Sequence, residues 1–506
     1  MPFRGRPSEA CGPCRKGRLR CDRKRPSCGQ CIRKSISCVG YRNVSLLLFK
    51  DESESIARKV QWEKNGELYP PTFPGQGHEN EPPGVTDFNT VDIVPSPSCS
   101  LMPFHDDLAV GYFMSSYVPG SPFYYLPEIY GTAVSTAQDA VSPIVMAVSL
   151  ASLSLHVGND LQLMRNSRMH YSKALTEINV ALASSNTAIL DSNLISVLML
   201  GFYEAISFSN YRSSTSWTAH TLGAVQLLRL RGTKQLMTDL GRHLFMQTCN
   251  NIRSGCLQRG MPVPDDFLQL YKEAEPFLDP GSLVVRFGLL LDKIISLKVQ
   301  LESLIPAQRI SGFIYEVLQL DEETRALMNM LPDSWRPQVM PLHMTPRWAY
   351  QGLAHQYPGH LIARHWNILR LTRAFLNEVI WYMGTFVVRA KEQGMPEIWQ
   401  HCKDLDTDAL QTTAAANRIQ IFTDVLASVP HFLDESGTTF TPAARLLIWP
   451  LTIVAERGMM LEPMRQYALW CLYEIARQAR VPQALHAAEA VERGSCTDWM
   501  HLFTLG

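Results

Sequence analysis

Residues 11–38 read CGPCRKGRLRCDRKRPSCGQCIRKSISC, a stretch that holds six of the chain's twelve cysteines and nine cations against a single acid, Asp22. Cys11, Cys14, Cys21, Cys28, Cys31 and Cys38 are separated by two, six, six, two and six residues, so C-x2-C-x6-C is written twice. Each half sets its first two thiols one turn apart on a short helix and brings the third back after two further turns or a bend. Zinc in a structural site takes four ligands. One ion would leave two cysteines idle, and two ions need eight ligand places from six thiolates, which requires two thiolates to bridge. The spacing therefore predicts a binuclear cluster with two Zn²⁺ per chain and approximate two-fold symmetry. So short a segment has no apolar core, and metal binding supplies its folding energy.

Other uses of clustered cysteines fit less well. Disulfides belong to exported proteins, and the N-terminal MPFRGRPSEAC lacks the apolar stretch of a secretory signal, so the expectation is a reducing compartment. An iron–sulfur cluster or a redox pair explains neither the cations nor the paired halves. A zinc cluster without a nucleic-acid role leaves the cations unexplained too. Residues 1–50 carry thirteen Lys or Arg against Glu9 and Asp22, a balance of +11, while the remaining 34 cations and 45 anions leave the rest at −11. A basic end on an acidic body points to a polyanionic partner. Arg15, Lys16, Arg18 and Arg20 fall on the first short helix, and Arg23, Lys24 and Arg25 fill the loop before Pro26. The second half, with Ile32, Ser35 and Ile36, keeps only Arg33 and Lys34. One half is built to touch double-stranded DNA and the other to support it. Phosphate contacts give salt-dependent affinity, and an Arg or Lys on guanine O6 and N7 gives specificity.

The stretch resembles the DNA-binding domain of the fungal binuclear zinc cluster transcription factors: two C-x2-C-x6-C halves, a basic first helix and a loop proline. The resemblance implies that Cys11 and Cys28 bridge the metals. It also implies that the end of the first helix enters the major groove over a CGG-like triplet with Arg18 at the base-reading position. Arg15 and Arg20 then serve as phosphate contacts or neutralise the cluster. Gly17 departs from the family's frequent second cation, leaving Arg18 to read bases with less help. A nuclear regulator of RNA polymerase II genes, working with the transcription machinery, is the function so implied.

Outward from this finger (residues 7–42), residues 43–66 place Leu46, Phe49, Ser53, Ile56 and Val60 at heptad spacing, a short amphipathic helix or a weak coiled coil that would make a homodimer. Residues 67–103, rich in Pro and Gly, read as a flexible linker. From 104 to 506 apolar periodic segments recur between Gly, Pro and polar breaks, as in SPIVMAVSLASLSLHV, DSNLISVLMLGFYEAIS and TAHTLGAVQLLRLRG, the last with Gly232 as its C-terminal cap. The fold class expected is a small binuclear zinc cluster with two short helices, a linker and a large all-α domain. This body is similar to the fungus-specific helical transcription factor domain, on YSKALTEINVAL (171–182), LMLGFYEAIS (198–207), WTAHTLGAVQLLRLRG (217–232), LGRHLFMQTCNNIRSGCLQRGMPVP (240–264) and LPDSW (331–335). That resemblance implies a regulatory or oligomerising role and transfers no catalytic residue.

Catalytic constellations are sparse. His355, His360 and His365 recur at gaps of five, which spreads them around a helix, and Pro358 interrupts it. His105, Asp106 and Asp107 read as a helix start. G-x-S-x-G, P-loop and H-E-x-x-H motifs are missing. Cys99, Cys249, Cys256, Cys402, Cys471 and Cys496 are scattered and read as packing residues. Trp217 and His220 pack one turn apart, with an unknown small-molecule effector pocket as the alternative. No enzyme and no membrane span is expected, since the longest apolar run, Leu194 to Phe208, contains Glu204. The alternative function is a helical ligand-binding or enzymatic body that the finger tethers to chromatin.

Overall fold

The computed structural model describes residues 11, 13, 14, 17, 21, 22, 27–34, 36 and 38 of the N-terminal stretch. Beyond it are described residues 105–119, 121–133, 140–207, 214–301, 305–341, 343–456 and 461–494. The heptad-spaced segment 43–66, the linker 67–103 and the cations Arg15, Lys16, Arg18, Arg20, Arg23, Lys24 and Arg25 lie outside the described residues.

Among the described residues the finger contributes one short helix with given bounds, α1 (Gly29–Arg33). The body is helical, and its first core is built by α2 (His105–Ser116), α3 (Leu126–Ala133), α4 (Val141–His156), α5 (Leu161–Leu182), α6 (Ser185–Ala188), α7 (Asp191–Ile206), α8 (Ser214–Arg231), α9 (Asp239–Arg259) and α10 (Asp265–Ala274). α4 and α7 are apolar nearly all round, so they can only sit inside, and most of their residues are buried. α5 shows the alternative pattern: Leu163, Ser167, Tyr171, Ala174 and Ile178 are buried at gaps of four, four, three and four, one stripe of an amphipathic helix. Its start is fixed by Asp160, whose Oδ1 accepts from the N–H groups of Gln162 (2.8 Å) and Leu163 (2.9 Å). Asp106 and Asp107 stand in the first turn of α2, as expected of acids at a positive helix end. α8 ends at Arg231, and Gly232 takes a φ of 60°, where a side chain would be strained.

α11 (Leu283–Leu301), α12 (Ile310–Asn329), α13 (His360–Glu392), α14 (Pro396–Trp399) and α15 (Thr407–Ala427) enclose a second core around Phe313, Val317, Leu376 and Val379. A third gathers Phe422, Phe432, Leu447, Leu451, Leu472 and Ala487 between α13, α15, α16 (Ile448–Ala455), α17 (Glu462–Gln478) and α18 (Pro482–Arg493). The one sheet among the described residues is a two-residue antiparallel pair, β1 (Gln338–Val339) with β2 (His355–Gln356), in the register Gln338↔Gln356, and an isolated bridge joins Leu433 to Phe440. The β1–β2 pair ties the chain just before α13. Distant segments meet through polar side chains: Gln483 Nε2 donates to Ile206 O (2.6 Å), closing the C-terminal end of α7, and Trp449 Nε1 donates to Gln258 Oε1 (3.2 Å). Arg253, fully buried, donates from Nε and Nη2 to Asp292 at 2.8 and 2.7 Å and lies 4.2 Å over the Tyr271 ring. No helix among the described residues is long and apolar enough to cross a membrane.

Candidate metal centre and nucleic-acid interface

The six thiols predicted to act together do converge. Two groups of four form, Cys11, Cys14, Cys21 and Cys28 in one and Cys11, Cys28, Cys31 and Cys38 in the other, with all ligand atoms of a group within 4.8 Å of one another. Cys11 and Cys28 stand in both. Cys11 Sγ lies 3.6 Å from the sulfurs of Cys28 and Cys31, and Cys14 Sγ lies 3.6 Å from Cys28. Four sulfurs about 2.3 Å from a tetrahedral ion stand about 3.8 Å apart, whereas a disulfide needs about 2.05 Å. The donor set and its spacing fit zinc and not a cystine.

Local structure explains why the sulfurs face inward. Cys28 is the N-cap of α1 and not its first residue, so its Sγ accepts from the Cys31 N–H (3.3 Å) while both thiols turn to the same centre. In the first half, Gly17 N–H donates to Pro13 O (2.9 Å), one turn that carries Cys14. Cys11, Cys14, Cys28 and Cys31 are buried, and Cys21 and Cys38 are half-buried at the ends of the two halves. Burial, then crowding by neighbouring thiols, pushes the Cys14 thiol up to about 12 and raises Cys31 as well, and burial raises Cys11. Thiols so placed resist ionising against one another. A dication at each centre reverses that balance and holds them as thiolates.

Asp22, the lone acid of the stretch, has a structural role that the sequence reading did not assign. Its Oδ1 and Oδ2 accept from Gly29 N–H at 3.0 and 3.2 Å, fastening the chain between the halves to the positive end of α1. A Cβ on Gly29 would meet Asp22 Oδ2 at 2.7 Å, so any side chain there would push the carboxylate aside. A carboxylate standing alone among cations, ahead of a Cys-Gly pair, was the available signal. Arg33 folds back, its Nη2 donating to Gln30 Oε1 (2.7 Å), while Ile32 and Ile36 point to solvent at 64% and 49% exposure. The apolar residues of the second half therefore build no core among the described residues of the finger.

The remaining candidates lie apart from this centre. His365 Nδ1 donates to Leu361 O (2.7 Å), His360 stacks on Phe432 (5.1 Å), and His355 lies in β2. The cysteine groups are the candidate metal sites among the described residues. Cys249, Cys256, Cys402 and Cys471 are buried, and burial pushes Cys249 up to about 12 and Cys256 to about 11, so they are inert packing thiols; Cys99 and Cys496 lie outside the described residues. His220 joins a polar trio with Tyr171, whose hydroxyl donates to Glu204 Oε1 (2.6 Å) and stands 3.4 Å from His220 Nε2. The Trp217 side chain lies outside the described residues.

A compact six-thiol, two-centre cluster followed by a large helical body defines a metal-organised module joined to a regulatory domain. Comparison with known families agrees: the chain carries a fungal Zn(2)-Cys(6) binuclear cluster domain over residues 9–46 and a fungal specific transcription factor domain over residues 118–254. No curated protein and no solved structure matches it. The protein is a fungal-type, zinc-dependent, DNA-binding transcription regulator whose cluster domain holds two zinc ions. Both matched families are transcription-factor domains, and the second match ends before the LPDSW segment at 331–335.

Proposed function

We propose that the chain is a nuclear regulator of RNA polymerase II genes that reads a CGG-like triplet through the first helix of its finger. Cys11, Cys14, Cys21 and Cys28 hold one zinc and Cys11, Cys28, Cys31 and Cys38 the other. The observation that carries this reading is the presence of Cys11 and Cys28 in both four-thiol groups, which is what six ligands around two tetrahedral ions demand. Zinc supplies the rigidity that an apolar core would supply in a larger domain. The cations of the first half, Arg15, Lys16, Arg18 and Arg20 with Arg23, Lys24 and Arg25, then meet phosphates, and Arg18 meets a base edge. Residues 7–42 form the DNA-binding unit, residues 43–66 a helix available for homodimer pairing, residues 67–103 a tether and residues 104–506 the regulatory body that meets the transcription machinery.

Binding to CGG-containing and scrambled duplexes across a salt series tests the reading. Arg18→Ala is expected to cost about 1–3 kcal/mol on CGG sites and to relax base choice, and Arg20→Ala to weaken all sequences alike with a shallower salt slope. Equal affinity of the intact protein for both duplexes would refute it. The rival, a helical ligand-binding or enzymatic body tethered to chromatin by the finger, is not what the matched families name.

A further inference from the structure

Past the end of α8 the chain bends at Gly232 into the short helical turn Thr233–Met237, and α10 packs against that turn. A cavity of about 220 Å³ opens among these three pieces. Part of its lining is apolar and belongs to the first core, with Leu236, Phe245, Leu270 and Ala274 all buried. The polar part is drawn from Arg229, Gln235, Asp266, Gln269 and Glu273. α10 supplies three of these because Phe267, Leu270, Tyr271 and Ala274 take its buried stripe. Asp266, Gln269 and Glu273, at gaps of three and four, share another face.

The donors of this lining are spent and its acceptors are not. Gln235, 7% exposed, donates from Nε2 to Leu228 O and Gly232 O, each at 2.8 Å, and so caps carbonyls at the end of α8. Its Oε1, on the other arm of the same amide, is enclosed and has no partner. Arg229 donates to Asp266 Oδ2 (2.5 Å), and Gln269 donates from Nε2 to Glu273 Oε1 (2.9 Å). One guanidinium against two carboxylates leaves the lining one negative charge in excess. The C-terminal end of α8 adds the partial negative charge of its dipole. An enclosed acceptor without a donor costs free energy, and here it stands in a wall that favours cations.

We propose that this cavity binds a small organic ammonium ion, a primary amine on a chain of a few carbons. Its N–H groups are donated to Gln235 Oε1 and Glu273, and its carbons lie against Leu236, Phe245 and Leu270. The volume falls below the roughly 300–1,000 Å³ of sites for drug-sized ligands, which sets the size of the molecule. An organic anion would face two carboxylates and the negative end of a helix. The site lies in the body and does not depend on the finger's DNA reading, so either can fail while the other stands.

The test uses the intact zinc-loaded chain at neutral pH, titrated with n-butylammonium chloride or with sodium butyrate at matched ionic strength. Binding is followed by saturation-transfer NMR from the protein to the butyl protons. Saturable transfer to butylammonium is expected, with none above background to butyrate. Glu273 is exposed on α10, so Glu273→Gln and Glu273→Lys should melt with the parent by far-UV circular dichroism. Glu273→Gln is expected to weaken butylammonium binding several-fold, and Glu273→Lys to abolish it. Absence of transfer to butylammonium in the parent would overturn the proposal. Equal transfer to butyrate, or undiminished binding in Glu273→Lys, would overturn it too.

Discussion

Among the described residues of the finger the fully buried side chains are sulfurs: Cys11, Cys14, Cys28 and Cys31 are 0–2% exposed, while the neighbouring Ile32 and Ile36 face water. In the body the interior is Phe, Leu, Ile and Val gathered into three large cores, and the buried cysteines there are filler. The two regions meet the entropy of ordering a chain by different means. Metal–thiolate bonds gather the finger in fewer than thirty residues, a size at which apolar burial fails. Apolar contact holds the body at a size where burial suffices. Loss of metal should therefore divide the molecule, and loss of an apolar side chain should divide it the other way.

The largest effect expected is that of zinc removal. Structural zinc contributes on the order of 10–16 kcal/mol to small domains of this kind, so chelation should abolish DNA binding and free all six clustered thiols to alkylation, while helical circular dichroism barely changes. Within the cluster, Cys11→Ser or Cys28→Ser should empty both centres, and Cys38→Ser only one, as metal analysis of the purified variants would read. An equal loss of zinc from Cys11→Ser and Cys38→Ser would break the sharing on which the two-centre arrangement rests. The converse change is Phe422→Ala in the third core. Phe422 is 1% exposed, and its truncation should cost the body about 3–5 kcal/mol by denaturant unfolding and leave two zinc ions per chain.

Smaller effects sharpen the contrast inside the body. Asp292→Ala strands the Arg253 guanidinium under Tyr271 and should destabilise by about 3 kcal/mol, whereas replacing both residues by apolar ones of similar volume should recover most of that loss. Smallest is Asp160→Ala, which removes the cap of α5 at a cost of about 1 kcal/mol in the same unfolding measurement. No counterpart of these changes is expected in the finger, where the polar fastening of Asp22 to Gly29 is secondary to the metal.

What could be read in advance follows the range of each interaction. The cluster was legible because the ligands are one residue type at fixed local spacing, and count alone required two thiolates to be shared. The body's helices were legible from apolar period and end signals, as in α7, α8 with Gly232, and the acidic start of α2. α5 is marked in the sequence only over YSKALTEINVAL (171–182), because the preceding LQLMRNSRMH carries just Leu163 and Ser167 to the buried stripe and exposes Leu161 at 82%. Pairings such as Arg253 with Asp292 or Arg445 with Tyr117 O join residues 39 and 328 positions apart, and no local period records them. The two-residue pair β1–β2 is too short to leave a pattern. Cys28 as a helix cap, with Asp22 holding the same helix, depends on a close approach that composition does not encode.

Native mass spectrometry of the intact chain tests the shared cluster most directly. Two zinc ions bound per chain, with six protons lost from the thiols and both metals released together by a strong chelator, is the expected result. A single zinc, or a metal-free chain lighter by the hydrogens of paired disulfides, would contradict it.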